Sequence, residues 1–286
     1  MTKYLIVNAD DFGLTSGVNR GILDCHQAGS VSNASLMVNT PAVHEAVDIA
    51  RSNPRLGVGL HLNLTLGRPL NSPDDVPSLT GKDGCFFSRS RCERRLVLGL
   101  LTKGDIEREF NAQVERFNSY GLPMTHIDSH QHVHIFPRVF DIVAEYCRKN
   151  DLPLRIPWRW KGPRLGLRRR LRIQLRDLLV FRNVRKWDKA VKTNAGFGSI
   201  FDLVETPESI VRESYLNFLK KLQDSPFELL VHPALVDEEL KRLTKISEFS
   251  LREHQVLARF SLGLKAGFRG FRLVSYAEAF PKSGGI

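Results

Sequence analysis

Strand-like and helix-like segments alternate along nearly the whole chain, and this alternation constrains its fold more than any other feature. Apolar runs typical of buried strands occur at about residues 4–9, 32–38, 57–62, 124–128, 153–157, 228–231 and 271–274. Segments with a helical spacing of apolar residues lie between most of these runs, at about residues 16–28, 41–52, 90–101, 104–119, 137–149, 206–223 and 250–266. This order predicts parallel strands joined by right-handed crossovers, in a single α/β domain over residues 1–286.

Acidic and histidine side chains gather at the C-terminal ends of four predicted strands. These side chains are Asp10, Asp11, His61, Asp128, His130 and His232. In a barrel of parallel strands the C-terminal ends converge on one face, where active sites form, whereas an open sheet would gather fewer of them. We therefore expect a (β/α) barrel of about seven strands and not a doubly wound sheet.

The adjacent carboxylates of Asp10 and Asp11 are the first candidates for chemistry. They repel each other unless a cation lies between them or one of them keeps a proton. One carboxylate and two imidazoles form a common ligand set for a divalent metal with open positions for water and substrate. The second carboxylate could then accept a proton from water that the metal activates. The competing interpretation is a turn at 10–13 that caps the next helix.

Several other polar residues are candidates for supporting roles. Strand alternation places His126, Asp128 and His130 on one face. His132 and His134 have three possible roles: further ligands, contacts to the ligands or substrate, or ordinary loop residues. The same supporting or substrate-binding roles are open to Asp128 and to Arg155, which lies in the fifth predicted strand.

His232 ends the sixth predicted strand and precedes Pro233, which keeps it extended. An imidazole titrates near neutral pH, so His232 is a candidate general acid. The alternative is a histidine whose hydrogen bonds are satisfied at a strand end.

Positive charge is concentrated in one segment of the chain. The net charge is +11, and residues 155–192 alone hold fourteen Lys and Arg against two Asp. We interpret residues 158–192 as a basic insert with an amphipathic helix, whose arginines could bind anionic lipid or an acidic glycan. We expect its leucine stripe to pack inward; the stripe consists of Leu167, Leu171, Leu175 and Leu178. The alternative is a solvated helix that packs on the barrel by its leucines. Nucleic acid is disfavoured, because no nucleic-acid-binding motif accompanies the charge.

The remaining composition predicts a cytoplasmic protein. No apolar stretch approaches the length of a membrane-spanning helix, and the first residues lack a signal-peptide pattern. The four cysteines are widely spaced, which favours reduced thiols. A homodimer is compatible with the sequence, which does not define the oligomeric state.

Four motifs together resemble the YdjC-like carbohydrate deacetylases, a group that includes chitooligosaccharide deacetylases and hopanoid-biosynthesis-associated proteins. The motifs are Asn8-Ala9-Asp10-Asp11-Phe12-Gly13, Gly59-Leu60-His61-Leu62, the segment from His126 to His134, and His232-Pro233-Ala234. The resemblance implies a distorted (β/α) barrel like that of polysaccharide deacetylases. It also implies a metal held by Asp11, His61 and His130, with Asp10 as the base.

The sequence thus predicts a hydrolase that uses one divalent metal ion, Mg²⁺ or Zn²⁺, to remove an acetyl group from an N-acetylated sugar. Asp10 and His232 would be its base and acid. A metal phosphoesterase is the alternative among enzymes. A barrel that binds a sugar or lipid through the basic insert, without turnover, is the alternative outside enzymes.

Overall fold

The computed structural model describes residues 2–157, 177–178, 180–187 and 190–282. Their strands are β1 (Lys3–Phe12), β2 (Asn33–Leu36), β3 (Gly57–Leu62), β4 (Met124–Ser129), β5 (Gly196–Ser199), β6 (Phe227–Val231) and β7 (Phe271–Leu273). The helices are α1 (Ser16–Gln27), α2 (Val43–Ser52), α3 (Arg89–Val97), α4 (Lys103–Ser119), α5 (Pro137–Lys149), α6 (Arg212–Leu219), α7 (Glu238–Leu243), α8 (Ser247–Leu257), α9 (Leu262–Gly267) and α10 (Tyr276–Ala279). Residues 177–178 and 180–187 are also helical.

The strands form one parallel sheet in the order β4-β3-β2-β1-β6-β5. β7 pairs with the first residues of β1, Lys3 to Leu5. β1 is the longest strand and contacts β2, β6 and β7, so it lies at the centre of the sheet. Because all pairs are parallel, the C-terminal ends of the strands share one edge.

The sheet closes through an extended segment between β4 and β5. Leu154 forms parallel bridges to Ile127 of β4 and to Thr193, three residues before β5. The Arg155 amide also donates to the Ile127 carbonyl at 3.0 Å. The closure confirms the predicted distorted (β/α) barrel.

The predicted strand at 153–157 is wrong in detail. This segment is extended but joins its neighbours only through isolated bridges. Pro153 and Pro157 lack the N–H groups that a regular ladder needs, which explains the interruption. The strand β5 lies further along the chain, in a Gly-rich stretch whose composition gives little strand signal.

The helices predicted before residue 150 match the structure within a few residues. The predicted helix at 206–223 is shorter, since only Arg212–Leu219 is α-helical. The predicted helix at 250–266 is two helices, because Ser261 accepts a hydrogen bond from the amide of Leu264 and caps a new helix there.

Most of the basic insert predicted at 158–192 lies outside the described residues. The helical residues 180–187 pack against α5, where Lys186 pairs with Asp141 at 2.7 Å. Leu178 belongs to the predicted leucine stripe but is 54% exposed, so for this leucine the predicted inward packing is wrong. Among the described residues, no helix combines the length and the hydropathy that a membrane-spanning segment requires.

Candidate active site

A distortion at the end of β1 brings both adjacent carboxylates to one site. In a regular strand the side chains of Asp10 and Asp11 would point to opposite faces. The pairing of β1 with β2 shifts register between Ala9 and Phe12, and Asp11 has a left-handed φ of 66°. A bulge of this kind re-aims a side chain. As a result, Nε2 of His61 lies 3.4 Å from Asp11 Oδ1 and 3.8 Å from Asp10 Oδ2.

A tight turn after β4 places His130 against the same carboxylate. Gln131 and His132 both have left-handed backbone conformations, with φ values of 56° and 59°. The turn holds His130 Nδ1 2.8 Å from Asp11 Oδ1. The ring of His132 instead contacts Phe197 edge to face, with centroids 5.7 Å apart. His130 therefore lies within the site and His132 packs beside it.

The three side chains that the sequence predicts as ligands have the spacing of a metal set. Asp11, His61 and His130 each offer a ligand atom, and these atoms all lie within 4.8 Å of one another. Ligands about 2.0–2.2 Å from a shared ion stand roughly 3 Å apart. The measured separations of 2.8 and 3.4 Å from Asp11 Oδ1 fit that geometry.

Asp128 fixes the orientation of His61. Its Oδ1 lies 2.7 Å from Nδ1 of His61, so this nitrogen carries the hydrogen and donates it. In the neutral ring, this tautomer leaves the lone pair of Nε2 on the side of Asp11. Metal-ligating histidines are commonly held by a carboxylate in this way.

The electrostatics of the cluster favour a cation. Burial opposes ionisation of Asp11, but the His130 and His61 imidazoles outweigh it and hold the pKa of Asp11 well below its usual range. Burial also opposes protonation of His61. The carboxylates of Asp128 and Asp10 nevertheless raise the pKa of His61 to about 10. The carboxylates therefore stabilise positive charge at this point of the barrel.

Arg155 is the central cation of the barrel interior, and its side chain is fully buried. Its Nη1 and Nη2 lie 2.8 and 2.7 Å from the two oxygens of Asp10. Nη1 is also 2.7 Å from Asp128 Oδ2, and Nε donates to Glu228 Oε1 at 2.8 Å. A buried charge needs such partners, because its desolvation is unfavourable. The guanidinium therefore fixes Asp10 and Asp128 relative to each other.

Two small polar side chains complete this network, and neither was predicted from the sequence. Asn8 donates to Asp10 Oδ1 at 2.9 Å and to the Ser35 hydroxyl at 2.8 Å. The Ser35 hydroxyl donates to Asp128 Oδ2 at 2.7 Å. The sequence signal for Asn8 is its position two residues before Asp10, which places both side chains on one face of β1.

Glu228 was also missed, although a charged residue inside an apolar strand is a usable signal. The Tyr276 hydroxyl donates to Glu228 Oε2, opposite the Arg155 contact. Burial raises the pKa of Glu228 to about 7, although Arg155 and Tyr276 both favour its ionised form. Glu228 thus holds the Nε side of the Arg155 guanidinium.

His126 and His134 are structural residues of the barrel interior. His126 stacks on Tyr276 with ring centroids 4.1 Å apart, and burial lowers its pKa to about 3. His134 Nε2 lies 3.0 Å from the Arg155 carbonyl oxygen, and burial lowers its pKa to about 4. Both rings are fully buried. Neither is among the groups that could share an ion.

His232 directly follows β6, and the charges of the site carboxylates act on its ring. Its amide donates to Glu253 Oε2 at 2.6 Å, and its ring stacks on Phe201 with centroids 5.6 Å apart. Burial lowers the pKa of His232, although the charges of Asp11 and Asp10 oppose that shift. Ring nitrogen Nδ1 is buried and has no hydrogen-bond partner among the described residues.

The chain is similar to known proteins over nearly its whole length. A family model described as "YdjC-like protein" matches residues 4–262. A carbohydrate deacetylase from Geobacillus stearothermophilus is 36% identical over 281 residues, which cover 98% of this chain and 99% of that protein. A chitooligosaccharide deacetylase from Proteus mirabilis is 36% identical over 287 residues, with 97% and 99% covered.

A solved structure is similar over nearly the same length. It is a crystal structure from Enterococcus faecalis V583 of a protein proposed to cleave cellobiose phosphate. It is 28% identical, covers 97% of this chain and 99% of its own, and superposes with a TM-score of 0.76.

Proposed function

The chain belongs to the YdjC-like family, and from that premise we propose that it is a metal-dependent deacetylase that removes the N-acetyl group of an amino sugar or oligosaccharide. Relatives that are 36% identical over nearly the whole chain carry the names carbohydrate deacetylase and chitooligosaccharide deacetylase. The proposal places the reaction in the cytoplasm, an assignment supported by four cysteines that are all free thiols.

One observation carries the proposal: a single carboxylate oxygen, Asp11 Oδ1, lies near a nitrogen of each of two imidazoles. The distances are 3.4 Å to His61 Nε2 and 2.8 Å to His130 Nδ1. The residues fit one divalent ion, Mg²⁺ or Zn²⁺, because they are a carboxylate and two imidazoles oriented toward one point. A bound ion would polarise the acetyl carbonyl and acidify water.

Asp10 acts as the base in this scheme. It removes the proton from the water whose oxygen attacks the acetyl carbonyl carbon. Arg155 and Asn8 hold its carboxylate by three hydrogen bonds, of which two end on Oδ1 and one on Oδ2. Oδ2 therefore keeps a second lone pair for the proton. The side chain therefore has a fixed direction and needs little reorganisation during the reaction.

His232 acts as the acid. When the C–N bond breaks, the protonated ring donates a proton to the departing amine nitrogen, and the acyl group is released as acetate. Burial lowers the pKa of His232, which makes the protonated ring a strong donor. The stacking contact with Phe201 fixes the plane of the ring.

Acetate release is the direct test. The metal-loaded protein is incubated with N-acetylglucosamine and with N-acetylated chitooligosaccharides of increasing length, and both acetate and the new free amine are quantified. The proposal predicts equal amounts of both products from at least one sugar. A parallel incubation with phosphorylated sugars tests the phosphoesterase alternative. Phosphate release without acetate release would overturn the proposal.

A further inference from the structure

Large apolar side chains exposed to solvent are concentrated on two segments. In the described residues, seven of these side chains are 49% exposed or more. Five of them lie at and just after the end of α3 and on the helical residues 177–178 and 180–187, namely Val97 (72%), Leu98 (63%), Leu100 (49%), Leu178 (54%) and Phe181 (53%). We call these five side chains the apolar rim. Clustered apolar exposure of this kind marks an interaction surface more often than scattered single residues do.

The first segment of the apolar rim is strongly basic. α3 contains four arginines and one acid, Glu93, and Arg89 pairs with that acid at 2.8 Å. The guanidinium groups of Arg91 and Arg95 lie over the Phe87 ring, 4.4 and 4.6 Å from its centroid. Arg95 Nη2 also donates to the carbonyl oxygen of Leu100 at 3.5 Å, so positive charge lies beside this segment of the apolar rim.

The second segment is basic as well. Arg182, Arg185 and Lys186 are exposed on the helical residues 180–187, next to Phe181. Lys186 pairs with Asp141. The two arginines add positive charge beside the second part of the apolar rim.

The start of α5 holds both segments at the same end of the barrel. Arg138 Nη1 donates to the carbonyl oxygens of Gly99 and Leu101, each at 2.9 Å. One turn later, Asp141 accepts a hydrogen bond from Trp187 Nε1 at 2.9 Å. α5 begins directly after the turn that carries His130. The apolar rim therefore flanks the end of the barrel where the candidate site lies.

We propose that the apolar rim and its arginines form a docking surface for an anionic lipid bilayer. Exposed leucine, valine and phenylalanine side chains would enter the interface, while the flanking arginines contact anionic headgroups. A second copy of this chain fits less well. A symmetric contact would place the same positive patch against itself. This inference stands on surface residues and does not depend on the proposed reaction.

Vesicle sedimentation tests the docking surface. The full chain is mixed with vesicles of phosphatidylcholine alone and of an equimolar mixture with phosphatidylglycerol, at low and high salt. We expect wild-type protein to sediment with the anionic vesicles and to bind them less at high salt. The variant Val97→Ser/Leu98→Ser/Leu100→Ser should weaken this binding at least about tenfold, because the serines remove apolar area that enters the bilayer.

The chain offers a matched control. Leu264 and Phe268 are 61% and 76% exposed beside Lys265, but they precede β7 and so lie at the opposite end of the barrel. The Leu264→Ser/Phe268→Ser variant should bind vesicles like wild type, and both variants should unfold at the wild-type temperature. The inference is overturned if wild-type protein does not sediment with anionic vesicles at low salt, or if both variants lose binding equally. A dimer that the triple variant dissociates in lipid-free sedimentation velocity would also overturn it, since the surface would then be a self-interface.

Discussion

His61 and Asp128 form a fully buried pair in which the carboxylate accepts the Nδ1 hydrogen of the imidazole at 2.7 Å. The pair comes from adjacent strands, where His61 and Asp128 are register partners. The contact selects the tautomer that presents Nε2 to Asp11. Asp128 therefore acts on the candidate metal set through His61, without being one of the three proposed ligands.

Asp128→Asn should weaken metal binding by about ten- to a hundredfold, because an amide holds the imidazole less firmly than a carboxylate does. Isothermal titration of metal-stripped protein measures the change. Ser35→Ala is the matched control, since Ser35 also bonds Asp128 but contacts neither His61 nor Asp11. Equal metal affinity in Asp128→Asn and wild type would contradict the orienting role.

Asp10→Asn should retain the metal and lose turnover by roughly a hundredfold or more, the usual size of general-base catalysis. The amide keeps an oxygen for Arg155 but cannot accept the proton from water. Bound metal is measured by elemental analysis, and turnover by acetate release. Substantial acetate release from the metal-loaded variant would reject Asp10 as the base.

His232→Ala should slow the hydrolysis of N-acetyl sugars far more than the hydrolysis of activated acetyl esters, because an activated leaving group needs no proton. Steady-state kinetics with both substrates gives the two losses. His44→Ala, at an exposed histidine, is the control and should change neither rate. Equal losses on amide and ester would mean that His232 only shapes the site.

Arg155→Met should destabilise the protein by about 3–5 kcal/mol, because three buried carboxylates would lose their common partner. Urea unfolding followed by circular dichroism measures the free energy of unfolding. Exposed Arg185 provides the control, and Arg185→Met should have little effect on stability. A loss below about 1 kcal/mol for Arg155→Met would show that the barrel interior tolerates the unpaired acids.

Glu253 should make stability depend on pH. Burial raises its pKa in the folded protein from the ordinary value of 4.5 to about 8. The folded state therefore binds more protons than the unfolded state between these values, so wild type loses stability as pH rises from 4.5 to 8. Glu253→Gln carries no such charge, so its stability relative to wild type should increase between pH 5 and pH 9. Urea unfolding at both pH values measures the difference, and a constant difference would contradict the prediction.

The sequence predicts the barrel well because its strands are buried and its helices are amphipathic. Phe110, Val114 and Phe117 show a helical spacing, and all three are buried on α4. The prediction fails where local sequence carries little information. β5 contains two glycines, and the extended segment at 153–157 owes its irregularity to prolines.

The proposed ligands are recognisable in the sequence because they lie at the ends of strands that must converge: Asp11 and His61 within the last two residues of β1 and β3, and His130 directly after β4. What the sequence lacks is their geometry. The left-handed φ of Asp11 depends on a bulge against β2, which the residue type at that position does not predict. The partners of Arg155 come from three different strands, so their convergence becomes visible only in three dimensions.

A metal titration that follows bound ion and acetate release together tests the proposed metal site most directly. Metal-stripped wild-type protein and His61→Ala receive increasing Zn²⁺ or Mg²⁺ with an N-acetylated sugar present. In wild type both signals should rise together and saturate at one ion per chain, and His61→Ala should show neither. Full acetate release from metal-stripped wild type, or a His61→Ala protein that binds the ion and turns over normally, would contradict it.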